Sequence, residues 1–161
     1  MTALRVYTDT SVIGGCFDDE FADDSNRLIE LARAGRVRLL ISDLVINELQ
    51  GAPDNVRNVL PGLPASAIEE VRISQHVIAL RDAYVQANIV GPRWRDDATH
   101  VAAATVARAD AIVYWNFRHI VRLDLIGRYN EVNQSQQHSN LVIITPLEVT
   151  REIDTENGER I

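Results

Sequence analysis

Short apolar runs rich in Val, Ile and Leu alternate along the chain with longer stretches whose apolar positions recur every three or four residues. Repeated switching between a strand period and a helix period predicts an α/β protein with a mainly parallel sheet of about five strands. "LRVYT" (4–8), "RVRLLIS" (36–42), "EVRI" (70–73), "DAIVYW" (110–115) and "NLVIITP" (140–146) read as the strands, the third as an edge. Helices are expected over 26–35, closed by Gly35, and over 43–50, stopped by Gly51-Ala52-Pro53. A short one falls within 54–62, and a longer one spans 74–91 with Ser74 as its N-cap. Two more cover 96–108 and roughly 118–133. Pro53, Pro61, Pro64 and Pro92 all fall at these boundaries, and no internal repeat or low-complexity segment interrupts the pattern. The reading is one domain over 1–150, followed by a polar tail over 151–161.

Composition narrows the chemistry. With 161 residues and 46% hydrophobic content, one core is sufficient. No run approaches the roughly 18 apolar residues of a membrane span. The opening "MTALRVYTDTS" lacks a signal-peptide layout, so a cytoplasmic protein without membrane attachment is expected. A single cysteine, Cys16, excludes an internal disulfide and a multi-cysteine zinc site, and reads as a small buried hydrophobe. The net charge is −7, and all 16 basic residues are arginine. Without lysine, Schiff-base chemistry, a P-loop and lysine-assisted phosphoaspartate chemistry have no residue to run on. The acidity argues against broad polyanion binding but leaves room for a local arginine-lined groove.

In open parallel sheets, ligands bind beyond the carboxyl ends of the strands, where strand order reverses. The first predicted strand ends at Asp9, the second feeds the helix carrying Glu48, and the fourth ends at Asn116. Asp97 opens the helix that precedes the fourth strand. If strands one and four are neighbours at the reversal, these four converge. Asp97, Val101, Ala104 and Arg108 form one stripe of that helix, mostly small and apolar, so Asp97 is carried to the rim of the sheet. Asp96 lies about 100° round the helix and reads as a solvated charge favoured by the helix dipole. Each residue also has a plain reading: Asp9 as a helix cap, Glu48 as a surface charge, Asp97 as an N-terminal helix charge, Asn116 as a turn residue. Only their joint placement lifts the functional one. Three carboxylates and a carboxamide make a hard, all-oxygen site suited to Mg²⁺ or Mn²⁺. Such an ion can bind a phosphate oxygen and lower the pKa of water, which is the chemistry of phosphodiester hydrolysis.

The segments "RVYTDTSVIGG", "ISDLVINELQG", "DDATHVAAATVARADAIVYWNFRHI" and "LVIITPLEV", in this order and spacing, resemble the PIN-domain proteins of the bacterial toxin–antitoxin (VapC-like) type, over about residues 4–149. The resemblance implies a three-layer α/β/α Rossmann-like fold and a Mg²⁺- or Mn²⁺-dependent ribonuclease acting on single-stranded RNA. It also implies an antitoxin partner whose chain blocks the site, and a homodimer. By position it assigns the family acids to Asp9, Glu48 and Asp97, the fourth site position to Asn116, and a hydroxyl supporting the first acid to Ser11. A further family acid is missing where His119 stands. With three formal negative charges, one ion in the free protein is expected, any second arriving with RNA. His119 is either a phosphate contact or proton donor, or a cap of the following helix, the latter preferred. His100 reads as a buried histidine bonded to a backbone group or carboxylate rather than as a ligand. Arg93, Arg95, Arg118 and Arg122 are candidates for a positive rim, with Trp94 a better base-stacking candidate than Trp115. Two rivals stand beside this reading. An aspartate-nucleophile phosphatase lacks its second acid and its lysine, and a PIN-like binding module without activity fits the His119 departure.

Overall fold

Parallel pairing organises the whole chain. The computed structural model describes residues 3–91, 94–113 and 123–154. Among them β1 (Leu4–Thr8), β2 (Val37–Ser42), β3 (Ile68–Val71), β4 (Ala111–Val113) and β5 (Ile143–Ile144) form one sheet in the order β3-β2-β1-β4-β5. Every neighbouring pair is parallel. The order reverses between β1 and β4, whose register pairs Val6 with Ala111 and Thr8 with Val113. The central strands β1 and β2 are buried over most of their length, with Arg38 the exposed exception, as strands covered on both faces tend to be.

Eight α-helices accompany the sheet among the described residues: α1 (Thr10–Gly15), α2 (Ala22–Arg33), α3 (Asp43–Gln50), α4 (Asp54–Arg57), α5 (Gln75–Gln86), α6 (Arg95–Val106), α7 (Leu123–Ser135) and α8 (Pro146–Asp154). One group is held together by α2 packing on α1 and α8, the other by α5 packing on α6 and α7, and α2 and α6 both pack on the sheet. The result is the expected three-layer α/β/α arrangement. In α6 every residue from Ala98 to Thr105 is buried, so the helix shows almost no amphipathic bias. Its run of alanines, Ala102 to Ala104, lets the backbone approach the sheet closely.

Several boundaries differ from expectation for identifiable reasons. Helix α2 starts at Ala22, four residues earlier than read, because Asp23 and Asp24 suit the positive end of a helix dipole. Strand β3 sits two residues earlier, where Leu39 pairs with Ile68 and Ser42 with Val71. Helix α5 keeps its Ser74 cap but ends at Gln86, shortly before Asn88 turns to φ 58°. Strand β5 is only two residues long, because a helix begins directly after it. That helix, α8, was not anticipated. Its start is a capping box in which the Glu148 amide donates to Thr145 Oγ1 (3.3 Å) and the Thr145 amide to Glu148 Oε1 (3.4 Å), with Pro146 at the first helical position. It runs through residues 151–154 of the predicted tail and buries Ile153.

Candidate functional site

Successive side chains on a strand alternate between faces, so Arg5, Tyr7 and Asp9 form one row along β1 and its exit. The residue contacts show that this row runs beside α6. Arg5 reaches the carbonyls of Ala107 and Arg108 at the carboxyl end of α6, both at 3.0 Å. Tyr7 meets His100 in the middle, and Asp9 lies toward the end where α6 begins, with Asp97 in its first turn.

Asp9 is 4% exposed and caps α1. Its Oδ1 accepts the Ser11 hydroxyl at 2.6 Å and the Val12 amide at 3.3 Å. The plain reading of Asp9 as a cap is therefore part of the structure, but an ordinary cap lies near solvent. Here burial pushes the carboxyl up to about 6, against the opposing pull of His100 and Ser11. Glu48, on α3, is turned toward the same place. Its Oε1 accepts the Thr10 hydroxyl at 2.8 Å and stands 3.2 Å from His100 Nε2. Partial burial raises the Glu48 carboxyl, but His100 and Thr10 outweigh it and hold the group below its usual range.

His100, one turn along α6 from Asp97, is the hub. It is buried, and its Nδ1 lies 2.7 Å from the Tyr7 hydroxyl. That hydroxyl is in turn 2.6 Å from Ser42 Oγ, which caps α3 by accepting the Val45 amide. Burial depresses the imidazole, yet Glu48, Asp9 and Asp97 together leave it raised. Three carboxylates thus act on one ring. The charge of Asp97 also acts on Tyr129 of α7, whose phenol burial has already raised.

The structure therefore brings Asp9, Ser11, Glu48 and Asp97 to one end of the sheet, at the reversal between β1 and β4. Arg95 is exposed at the start of α6, and Trp94 is half-buried against the core. Asn116, Arg118, His119, Arg93, Trp115 and Arg122 lie outside the described residues. Reading the chain alone missed Thr10, Tyr7 and Ser42 as partners of the acids. The alternation that puts Tyr7 on the face of Asp9 was available as a signal, as was the one-turn offset of His100 from Asp97.

The donor set suits a hard divalent cation in kind: oxygen ligands, a surplus of negative charge, and a buried carboxylate short of compensation. Its arrangement is less complete. Among the described residues no three His, Cys, Asp or Glu side chains are grouped closely enough to hold an ion as they stand.

No family model matches the chain, and no curated protein matches it. Its fold does match solved structures. A chain from a toxin–antitoxin complex of Klebsiella pneumoniae superposes with a TM-score of 0.57 at 17% identity, over 88% of this chain and 97% of that one. A chain of VapBC2 from Rickettsia felis, bound to a DNA fragment from their promoter, gives 0.52 at 18% identity, over 87% and 97%. At such identities the likeness is one of fold alone, and it agrees with the α/β arrangement expected from the sequence.

Proposed function

We propose that the protein is a Mg²⁺- or Mn²⁺-dependent endoribonuclease that hydrolyses single-stranded RNA, and that it is the toxin of a type II toxin–antitoxin pair. The observation that carries this reading is the meeting of Asp9, Glu48 and Asp97 around His100 at the strand-order reversal of a fold shared with toxin–antitoxin structures. Asp9, Glu48 and Asp97 would hold the ion, and Asn116 would position a water or the ion. When bound, the ion supplies charge neutralisation for the phosphodiester and a lowered pKa for the attacking water. Ser11 fixes the direction of Asp9 through its 2.6 Å hydrogen bond, leaving the second carboxylate oxygen for the ion. Thr10 restricts the rotamers of Glu48 in the same way. Arg93, Arg95, Arg118 and His119 are the side chains proposed to meet the RNA backbone, as a cationic rim on an otherwise acidic protein. The partners proposed are an antitoxin chain laid across this crevice and a second copy of the chain. No helix among the described residues is long and apolar enough to cross a membrane, and a cytoplasmic location is proposed with the rest.

The deciding experiment is cleavage of a mixed single-stranded RNA pool with Mg²⁺, with Mn²⁺ and with EDTA, beside Asp97→Asn purified identically. Metal-dependent cleavage that disappears in the variant supports the proposal. Equal cleavage by both proteins shows contamination or a misplaced site. A second reading, a PIN-like module that binds RNA or protein without cutting, is favoured by the incomplete grouping of ligands among the described residues. Absence of cleavage with either metal, combined with retained RNA binding, would select it.

A further inference from the structure

Of the groups around the acids, His100 and Tyr7 are the ones the proposed reaction does not use. Both are buried, Tyr7 at 0% and His100 at 2% exposure, and they form a continuous chain of contacts: Val45 amide to Ser42 Oγ, Ser42 Oγ to Tyr7 Oη, Tyr7 Oη to His100 Nδ1, His100 Nε2 to Glu48 Oε1. Donors and acceptors along it can be assigned. The carboxylate can only accept, so Nε2 carries a hydrogen and gives it to Glu48. In the neutral ring Nδ1 then accepts from the Tyr7 hydroxyl, whose oxygen takes the Ser42 hydroxyl hydrogen. In the charged ring both hydroxyl bonds reverse and the bond to Glu48 is kept. Either way the ring is pinned at both ends. Its edge-on contact with Tyr7 (5.7 Å between centroids, 62°) fixes the plane.

We infer that the Ser42–Tyr7–His100 chain is a positioning device for Glu48, setting where this carboxylate stands when a divalent cation binds at the proposed site. The inference rests on the metal-dependent reading of that site. A packing role alone would not need a polar ring there. A leucine would fill the space against Tyr7 without desolvating an imidazole, and buried polar groups are costly unless bonded. The chain also explains the selection of one Glu48 conformation, although the side chain is 34% exposed and otherwise has many rotamers. Partners that orient a ligand through its outer atoms commonly affect metal affinity by 10- to 100-fold.

The test is Mn²⁺ affinity at fixed pH, measured by titration calorimetry and by the EPR signal of free Mn²⁺, on wild-type protein, His100→Leu, His100→Gln and Tyr7→Phe. Circular dichroism checks that each variant is folded. The leucine variant should bind about tenfold or more weakly. Glutamine, which can donate to Glu48 and accept from Tyr7, should recover most of that loss, and Tyr7→Phe should show a smaller loss than leucine. A folded His100→Leu with wild-type affinity overturns the inference, as does a glutamine variant no better than leucine. If His100→Leu does not fold, unchanged affinity in Tyr7→Phe overturns it instead. Wild-type protein that binds no Mn²⁺ is a separate result, because it removes the metal reading itself.

Discussion

The two ends of the row Arg5–Tyr7–Asp9 lie about four residues apart on one strand face, and they are built on opposite terms. At the amino end of β1, Arg5 donates to Glu69 through Nε (3.1 Å) and Nη2 (2.6 Å), and to the carbonyls of Ala107 and Arg108. A cation thus meets the negative end of the α6 dipole and a carboxylate, each favourable. At the carboxyl end, buried Asp9 shares a single imidazole with Glu48 and Asp97. Negative charge is in surplus there, and burial raises the Asp9 carboxyl. One end of the strand stabilises the fold. The other spends stability on a concentration of charge that a bound cation would relieve, as functional sites commonly do.

The largest effect should come from Asp9→Asn. RNA cleavage is expected to fall by roughly 10²- to 10⁴-fold, since the neutral amide neither attracts the cation nor holds it with the same strength. The same substitution should stabilise the metal-free protein at neutral pH. The folded-state pKa is raised from 3.8 to about 6, so between these values the folded protein binds more protons than the unfolded chain. Stability therefore declines as pH rises through about 4 to 6, and the full penalty applies above. Asparagine removes it while still capping α1. A gain on the order of 2–3 kcal/mol at pH 7 follows, shrinking toward zero at pH 4. Urea unfolding in EDTA at the two pH values reads it directly. An Asp9→Asn protein no more stable than wild type at pH 7 would mean that Asp9 is an ordinary cap.

This asymmetry was only partly legible in the amino-acid sequence. Apolar patterning placed β1, β2 and α3, and the capping serine of α5, because each has a strong local signal. Topology then placed Asp9, Glu48 and Asp97 at one end of the sheet. The limits were those of non-local information. Nothing near Glu69 announces that Arg5 will bind it across β2, and the register of β3 is set by β2 rather than by the composition of "EVRI". Tyr7 stood out only as part of the strand "LRVYT", and its hydroxyl has a role only beside His100 and Ser42, which the fold brings to it. The start of α8 is a different kind of miss. "TPLE" at 145–148 carries a capping threonine, a proline at the first helical position and a glutamate at the third, but the apolar run before it has strand composition through Pro146 and masks the signal.

The well-compensated end offers the contrasting perturbations. Arg5→Met keeps much of the apolar stem and removes the guanidinium, leaving Glu69 and two helix-terminal carbonyls without it. A loss of about 1–2 kcal/mol is expected, most of it from the carbonyl hydrogen bonds, because the ion pair is partly exposed and screened. Through its hydrogen bond Arg5 holds the Glu69 carboxyl below its usual range, so that share of stability is present at neutral pH and is lost on acidification through the lowered value. Cleavage per folded molecule should not change. If Arg5→Met lowers both stability and cleavage, the two ends are coupled through α6 and the division drawn above is wrong.

The smallest effect belongs to Arg38→Ala. Arg38 also faces Glu69, but at 3.8 Å and with a side chain 47% exposed, whereas Arg5 stands at 2.6 Å with 29% exposed. An exposed pair at that separation gains little Coulomb energy in water and must hold a long side chain still, so less than about 0.5 kcal/mol is expected. Thermal unfolding at low and high salt separates the cases. Arg38→Ala should fall within error of wild type in high salt, while Arg5→Met should retain most of its deficit there, since hydrogen bonds to neutral carbonyls, that to Ala107 partly buried, are not screened as a surface ion pair is. Equal deficits for the two variants would mean that Glu69 is served by net positive charge alone. The amino end of the row would then owe its stability to local charge balance rather than to the placement of one guanidinium.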